Sequence, residues 1–270
     1  MDRPRVVVVE DDETLAEFFS MVLELLPVSP CLCRSAEEAL DELRKAPADV
    51  LVTDLLLPGL DGRGLLKAIR QDASLRGAAR LVVMSGSVDD AVRRELTQLG
   101  VWRVLGKPVT VKAFRACIDE ALAARLTAPA APVAPVAPVA PDERLNPAEQ
   151  AIIESHFGGQ TALFLAYRQG SLQQFPRDIE QGNRAVDTGD VAGLRRVAHN
   201  LKSVLRTLAR DDLAQTALNL EDAAAHWLES PASGMPPGAR PDALPEALRQ
   251  GWASLRDGLC AADNDGPAHA

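Results

Sequence analysis

The first 126 residues alternate between two patterns of hydrophobic and polar positions. Short, nearly continuous apolar runs are typical of strands buried on both faces, and longer segments between them have helical spacing of apolar residues. The apolar runs are "RVVVVE", "PCLCRS", "DVLVTD", "RLVVMS" and "VWRVLG". A helical segment follows each run. We therefore predict an α/β domain over residues 1–126, a doubly wound, five-stranded parallel sheet with helices on both faces.

A Pro/Ala repeat, "TAPAAPVAPVAPVAP", ends this pattern at residues 127–141. Each proline fixes φ and lacks an N–H donor, so neither a helix nor the interior of a sheet can form there. Such a stretch favours extended polyproline II structure, which at about 3.1 Å per residue would span roughly 45 Å. We predict a semi-rigid linker over residues 127–145.

Beyond the linker the pattern is helical only. The last predicted helix begins with Pro245, a residue that suits the first helical position, and the second is long enough to bend at Pro176. Several long amphipathic helices favour an all-α antiparallel helical bundle, which we place at residues 146–262, with a disordered tail at 263–270. The predicted helices are 147–157, 160–186, 191–208, 211–228 and 245–259.

Composition limits the class of protein. The chain has 270 residues, of which 47% are hydrophobic and 25% charged, as in soluble globular proteins of about two domains. A net charge of −9 disfavours binding to nucleic acid or to an anionic membrane through bulk charge. Without a long apolar run or a signal-peptide pattern, and with four scattered cysteines, the sequence predicts a cytoplasmic protein with no membrane insertion.

Side chains that carry chemistry cluster at the carboxyl ends of the predicted strands, where open α/β sheets bind ligands. Carboxylates supply oxygen ligands that suit a hard cation, Mg²⁺ first. A lysine and a hydroxyl opposite the metal would hold an oxyanion such as a phosphoryl group, with Asp54 as the nucleophile. Asp12 is different, because it can simply cap the first helix. The clustered residues are Glu10, Asp11, Asp54, Ser85 and Lys107.

Residues 5–124 resemble a response-regulator receiver domain through "VVVVEDD", "DVLVTDLLLPGLDG", "MSGS" and "GVWRVLGKP". The resemblance implies a flavodoxin-like fold in which Asp54 accepts a phosphoryl group. It also implies that Glu10, Asp11, Asp54 and the backbone carbonyl of Leu56 hold Mg²⁺, and that Ser85 and Lys107 contact the phosphoryl oxygens. A cis peptide bond is expected before Pro108.

The chain departs from this resemblance at Val104. Three residues before the lysine, receiver domains usually carry a tyrosine or phenylalanine that rotates on activation. We expect the acceptor chemistry to be retained and the aromatic switch to be absent. A receiver that only relays phosphoryl groups would need that switch less.

His199 lies in a predicted helix whose apolar residues form one stripe. Projected at about 100° per residue, His199 lies about 160° from the centre of that stripe, which predicts an outer-face position. No second histidine, cysteine or carboxylate stands beside it on this helix, so metal binding is not expected. Nearby cations would attract a phosphoryl group and an acidic partner. From these residues alone, a solvated basic face remains an alternative.

A second resemblance concerns the same helix. "AHNLKSVLRTLA" resembles the phosphorylated helix of a histidine phosphotransfer (HPt) domain, with the pattern H-x-L-K-[GS], and "FGGQTALFLAYRQGSLQQFPRDIE" resembles the helix before it. The resemblance implies that His199 is phosphorylated and that Lys202 orients the phosphoryl group. Ser203 stands where glycine is more frequent.

Together the two resemblances predict a phosphorelay signalling protein that carries phosphoryl groups on Asp54 and His199, in either direction. Nothing resembles the ATP-binding half of a histidine kinase, so we expect no kinase activity and an upstream sensor histidine kinase as donor. A partner receiver domain would dock on the His199 face. The alternative is a non-catalytic adaptor in which phosphorylation of the receiver controls docking of the helical module.

Overall fold

The computed structural model describes residues 3–86, 89–123, 145–229 and 244–264. It divides into two compact units between Tyr167 and Arg168. The Pro/Ala repeat lies outside the described residues, as does the predicted tail from residue 265 onward. Residues 263 and 264 belong to the last helix.

The first unit contains a five-stranded, all-parallel sheet with strand order β2-β1-β3-β4-β5, which confirms the predicted doubly wound α/β fold. Its strands are β1 (Arg5–Val9), β2 (Ser29–Cys33), β3 (Val50–Asp54), β4 (Arg80–Ser85) and β5 (Val101–Gly106). The helices between and after the strands are α1 (Glu13–Glu24), α2 (Ala36–Lys45), α3 (Gly62–Gln71), α4 (Ala73–Arg76), α5 (Asp90–Gln98) and α6 (Val111–Leu122).

The strands of the sheet are formed by the most continuously apolar runs of the sequence. Strands β1 and β3 lie side by side at its centre, and nearly all their side chains are buried. Helix α1 begins at a cap: the Asp12 side chain accepts a hydrogen bond from the amide of Leu15 at 2.9 Å. The interpretation of Asp12 as a helix cap is thereby confirmed, and burial raises the pKa of its carboxyl group.

Two further helical segments pack in this first unit: α7 (Pro147–His156) and the first turns of α8 (Thr161–Thr188). Phe18 of α1 contacts Phe157 and Tyr167, with ring centroids 5.6 Å and 5.5 Å apart. Residues 146–167 therefore share an aromatic cluster with α1, although the sequence assigns them to the helical domain. That assignment of domain limits remains a prediction.

The described part of the second unit is all helical, which confirms the predicted fold class. It contains the rest of α8, which continues past Pro176, followed by α9 (Val191–Thr207), α10 (Asp211–Glu229) and α11 (Glu246–Asn264). Trp252 of α11 is buried and donates from Nε1 to Asn183 Oδ1 of α8 at 2.9 Å. Among the described helices, none combines the length and apolarity that crossing a membrane requires.

Candidate functional site

Three carboxylates meet at the carboxyl edge of the sheet. Glu10 and Asp11 follow β1, Asp54 ends β3, and the two strands are neighbours with Val9 opposite Thr53. One oxygen from each carboxylate lies within 4.8 Å of the others. Glu10 and Asp54 are fully buried. The parallel topology thus brings together acids that lie 44 positions apart in the chain.

Lys107 faces these acids from the end of β5. Its Nζ donates to Asp54 Oδ2 at 2.7 Å and to Glu10 Oε2 at 2.8 Å. The peptide bond between Lys107 and Pro108 is cis, as the sequence predicts. The Lys107 amide also donates to the carbonyl of Ser85 at 2.8 Å, which ties the ends of β4 and β5 together.

Burial and charge set the ionisation of this cluster. Burial, reinforced by Asp54 and Asp11, raises the pKa of Glu10 well above its usual range, while Lys107 opposes that shift. Burial by itself would lower the pKa of Lys107, but the charges and hydrogen bonds of Asp54 and Glu10 raise it beyond the usual value. Lys107 is therefore held as a cation. Its single positive charge does not fully neutralise the three acidic groups around it.

The donor set fits a hard cation. All three candidate ligand side chains are carboxylates, and oxygen is the ligand atom that Mg²⁺ prefers. Within the described ranges, Glu10 Oε1 is buried and has no hydrogen-bond partner. A buried acceptor without a partner costs free energy, which a bound cation would offset.

The other residues that the sequence singles out lie next to Asp54, at the end of a neighbouring strand and within the sheet. Ser85 is buried at the end of β4. The amide of Leu56 donates to Asp54 Oδ1 at 3.2 Å, so this backbone segment lies against the Asp54 carboxylate. Val104 pairs with Val83 in the sheet and packs against the core under α2 and α3.

His199 is buried, with 3% of its surface exposed, so the predicted outer-face position is wrong. The predicted position rests only on where apolar side chains fall around α9. In the structure a polar contact reaches His199 from a different helix: Nδ1 lies 2.7 Å from Oε1 of Glu221 on α10. A helix face that is polar by pattern is therefore packed against a polar partner.

Glu221 also binds Lys202, whose Nζ donates to Oε2. One carboxylate therefore bridges the first and the last residue of the "HNLK" segment. Burial alone would raise the pKa of Glu221. The hydrogen bonds and charges of His199 and Lys202 outweigh burial and lower it to about 2. Glu221 is thus an ionised, buried acceptor between an imidazole and an ammonium group.

Glu221 was not among the predicted site residues, although the sequence of α10 carries a signal for it. The buried residues Ala214, Ala217 and Ala224 have helical spacing, and position 221 falls in the same stripe. A carboxylate in an apolar stripe needs a buried partner. Its partners lie 22 and 19 positions away, so a scan of α9 by itself could not find the contact.

Two domain families match the chain. The response regulator receiver domain family matches residues 6–119, which include the sheet and the acidic cluster. The Hpt domain family matches residues 166–258, which include His199, Lys202 and Glu221. Each of the two buried clusters therefore lies in a separate family match.

Individual proteins show the same similarity. The chain is 26% identical over 124 residues to the probable chemotaxis protein CheY of Rhizobium etli, covering 46% of this chain and 95% of that protein. It is 27% identical over 105 residues to the transcriptional regulatory protein BaeR of Escherichia coli, covering 39% of this chain and only 42% of that relative. A crystal structure of a response regulator receiver protein from Pseudomonas putida is 27% identical, covers 44% of this chain and 98% of its own, and has a TM-score of 0.42.

Proposed function

We propose that Asp54 and His199 are the two phosphoryl carriers of this chain. The chain joins a receiver domain to an Hpt domain, which is the domain composition of a phosphorelay protein in a two-component system. The observation that supports the proposal is shared by both units. Each holds a buried candidate nucleophile in contact with a buried lysine–carboxylate pair. In the first unit the pair is Lys107 and Glu10, and in the second it is Lys202 and Glu221.

In the first unit, a carboxylate oxygen of Asp54 would attack the phosphorus of a donor. The bond from phosphorus to the donor breaks, and an acyl phosphate forms on Asp54. Mg²⁺ would be held by Glu10, Asp11, Asp54 and the carbonyl of Leu56. When bound, it supplies positive charge that compensates the negative charge of the phosphoryl oxygens. Lys107 would exchange its contact with the Asp54 carboxylate for one with a phosphoryl oxygen, with Ser85 donating to another.

In the second unit, Glu221 would fix the tautomer of His199. An ionised carboxylate only accepts hydrogen bonds, so Nδ1 carries the hydrogen in the contact with Oε1. In the neutral ring, Nε2 then holds the lone pair and would attack the phosphorus of the acyl phosphate on Asp54. The bond from nitrogen to phosphorus forms as the bond from phosphorus to the Asp54 oxygen breaks, which leaves Asp54 as a free carboxylate. Lys202 would orient the phosphoryl group from the adjacent turn of α9.

The partners follow from this chemistry. A receiver and an Hpt domain imply two-component partners, and we propose an upstream sensor histidine kinase as donor and a separate receiver domain that binds at His199. We further propose that the chain acts in the cytoplasm, binds no nucleic acid and has no kinase activity of its own. A phosphorylation-gated adaptor is not favoured, because such an adaptor gives the Hpt domain no role in phosphotransfer.

Asp54→Ala tests the acceptor site in the full chain. Incubation with acetyl phosphate and Mg²⁺ should add a base-labile phosphoryl group to Asp54 of the wild type and none to this variant. Asp12→Asn is the matched control, because Asn retains the helix cap and the residue lies beside the cluster. The control should be labelled like the wild type. Equal labelling of Asp54→Ala, measured by intact mass, would refute the assignment.

A further inference from the structure

The Ser203 hydroxyl on α9 is buried and has no hydrogen-bond partner. Ser203 is 3% exposed. Throughout the described ranges, no atom lies within hydrogen-bonding geometry of its Oγ. A buried hydroxyl without a partner is destabilising relative to a methyl group, so folding alone does not explain this serine.

Other helical hydroxyls in the chain show what Ser203 does not do. A serine or threonine inside a helix commonly donates to the carbonyl four positions earlier. Among the described residues, several side chains make that bond, at distances from 2.6 to 3.1 Å. One of them is Thr207, which bonds the carbonyl of Ser203 itself. The residues are Thr97, Ser155, Thr188, Thr207 and Thr216.

Ser203 would make the same bond with the carbonyl of His199, and it does not. Residues four apart on a helix lie on one face, and Cα–Cβ bonds tilt toward the N-terminus, so the Ser203 side chain leans toward position 199. On that face Glu221 already binds Nδ1 of His199 and Nζ of Lys202. The Ser203 hydroxyl is thus a buried donor one turn from the proposed phosphoryl carrier.

We propose that the Ser203 hydroxyl binds the phosphoryl group on His199, donating its hydrogen bond to a phosphoryl oxygen. This role rests on the phosphorelay function proposed above. In the unphosphorylated chain the donor is held ready without a partner, and the phosphoryl group supplies the acceptor. Position 203 then requires the hydroxyl as a hydrogen-bond donor, and not only a small side chain.

Ser203→Ala tests this role in the full chain. After loading with acetyl phosphate and Mg²⁺, excess EDTA stops exchange through Asp54, and the base-stable label then decays only by hydrolysis. Water attacks phosphorus, the bond to Nε2 breaks, the nitrogen takes a proton and inorganic phosphate leaves. Loss of a hydrogen bond to a charged group should shorten the lifetime of this label about tenfold.

Thr207→Val is the matched control, because it removes a buried hydroxyl from the same helix that already has an internal partner. Its label should decay at the wild-type rate. The unphosphorylated Ser203→Ala chain should melt at the wild-type temperature or above it, since no bond is lost. A lower melting temperature would show a structural bond and overturn the proposal.

The labelling results separate two failures. Base-stable label of equal lifetime in wild type and Ser203→Ala overturns the role of Ser203 and leaves the phosphorelay function intact. A wild-type chain with no base-stable label contradicts transfer to His199, and the role of Ser203 falls with it.

Discussion

At the scale of single residues, the two proposed phosphoryl carriers share an electrostatic setting. Lys107 lies between Asp54 and Glu10, and Glu221 lies between His199 and Lys202, all with little exposed surface. Charges buried without a partner are strongly destabilising, so removing one partner of such a contact should destabilise its unit. The same contacts place a lysine where a phosphoryl group would need a counter-charge.

Glu221→Gln should reduce the stability of the α9–α10 pair in a way that depends on pH. The pKa of Glu221 is lowered from 4.5 to about 2 in the folded chain, so its contribution is present above pH 4.5 and is lost as the pH falls toward 2. The shift corresponds to at most about 3 kcal/mol. Hydrogen exchange of α9 and α10 amides measures it at each pH.

Asp222→Asn, at the exposed neighbouring position on α10, is the control and should behave like the wild type. The difference between Glu221→Gln and the wild type should be largest near pH 7 and should shrink below pH 4. A difference that stays constant down to pH 2 would contradict an ionised Glu221 in the folded chain.

At the scale of elements, the second unit depends on a close contact between α8 and α11. A Cβ on Gly182 of α8 would lie 2.1 Å from ring atoms of Trp252, a distance that real atoms do not adopt. The Trp252 ring is also held by its hydrogen bond to Asn183. Position 182 therefore needs glycine because of a neighbouring helix, although its own backbone is helical.

Gly182→Ala should destabilise the second unit by about 1–3 kcal/mol, because the overlap with Trp252 outweighs the higher helix propensity of alanine. Gly251→Ala on α11 is the matched control. Its Cβ would meet only the end of the flexible Leu220 side chain, at 3.2 Å. Thermal unfolding followed by circular dichroism should show a lower melting temperature for Gly182→Ala alone. Equal melting temperatures would contradict the α8–α11 packing.

Some helices and strands were predicted from the sequence, and others were not. Strands β4 and β5 begin and end at the predicted residues, because continuous apolar runs are local signals. Helix α4 was missed, since four residues are too few to show a period. The burial of His199 was missed because it depends on Glu221 of a different helix, which the pattern within α9 does not show.

At the scale of the whole molecule, one chain holds a candidate aspartate acceptor and a candidate histidine carrier, each inside its own family match. The motifs predicted both residues because strand ends and short helix motifs are visible in sequence. They did not predict Glu221 or the unpartnered hydroxyl of Ser203, which depend on packing. The motifs also did not predict the division between Tyr167 and Arg168, because it depends on aromatic contacts with α1.

The most direct measurement is to load the full chain with acetyl phosphate and Mg²⁺ and to classify the label by its stability to acid and base. Acyl phosphates are lost in base, whereas phosphohistidine is stable in base and lost in acid. We expect base-stable label in the wild type, none in His199→Gln, and none in Asp54→Ala when that variant is loaded alone. His226→Gln, an exposed histidine on α10, should match the wild type. Base-stable label that persists in His199→Gln, or a wild type that never acquires any, would contradict transfer between Asp54 and His199.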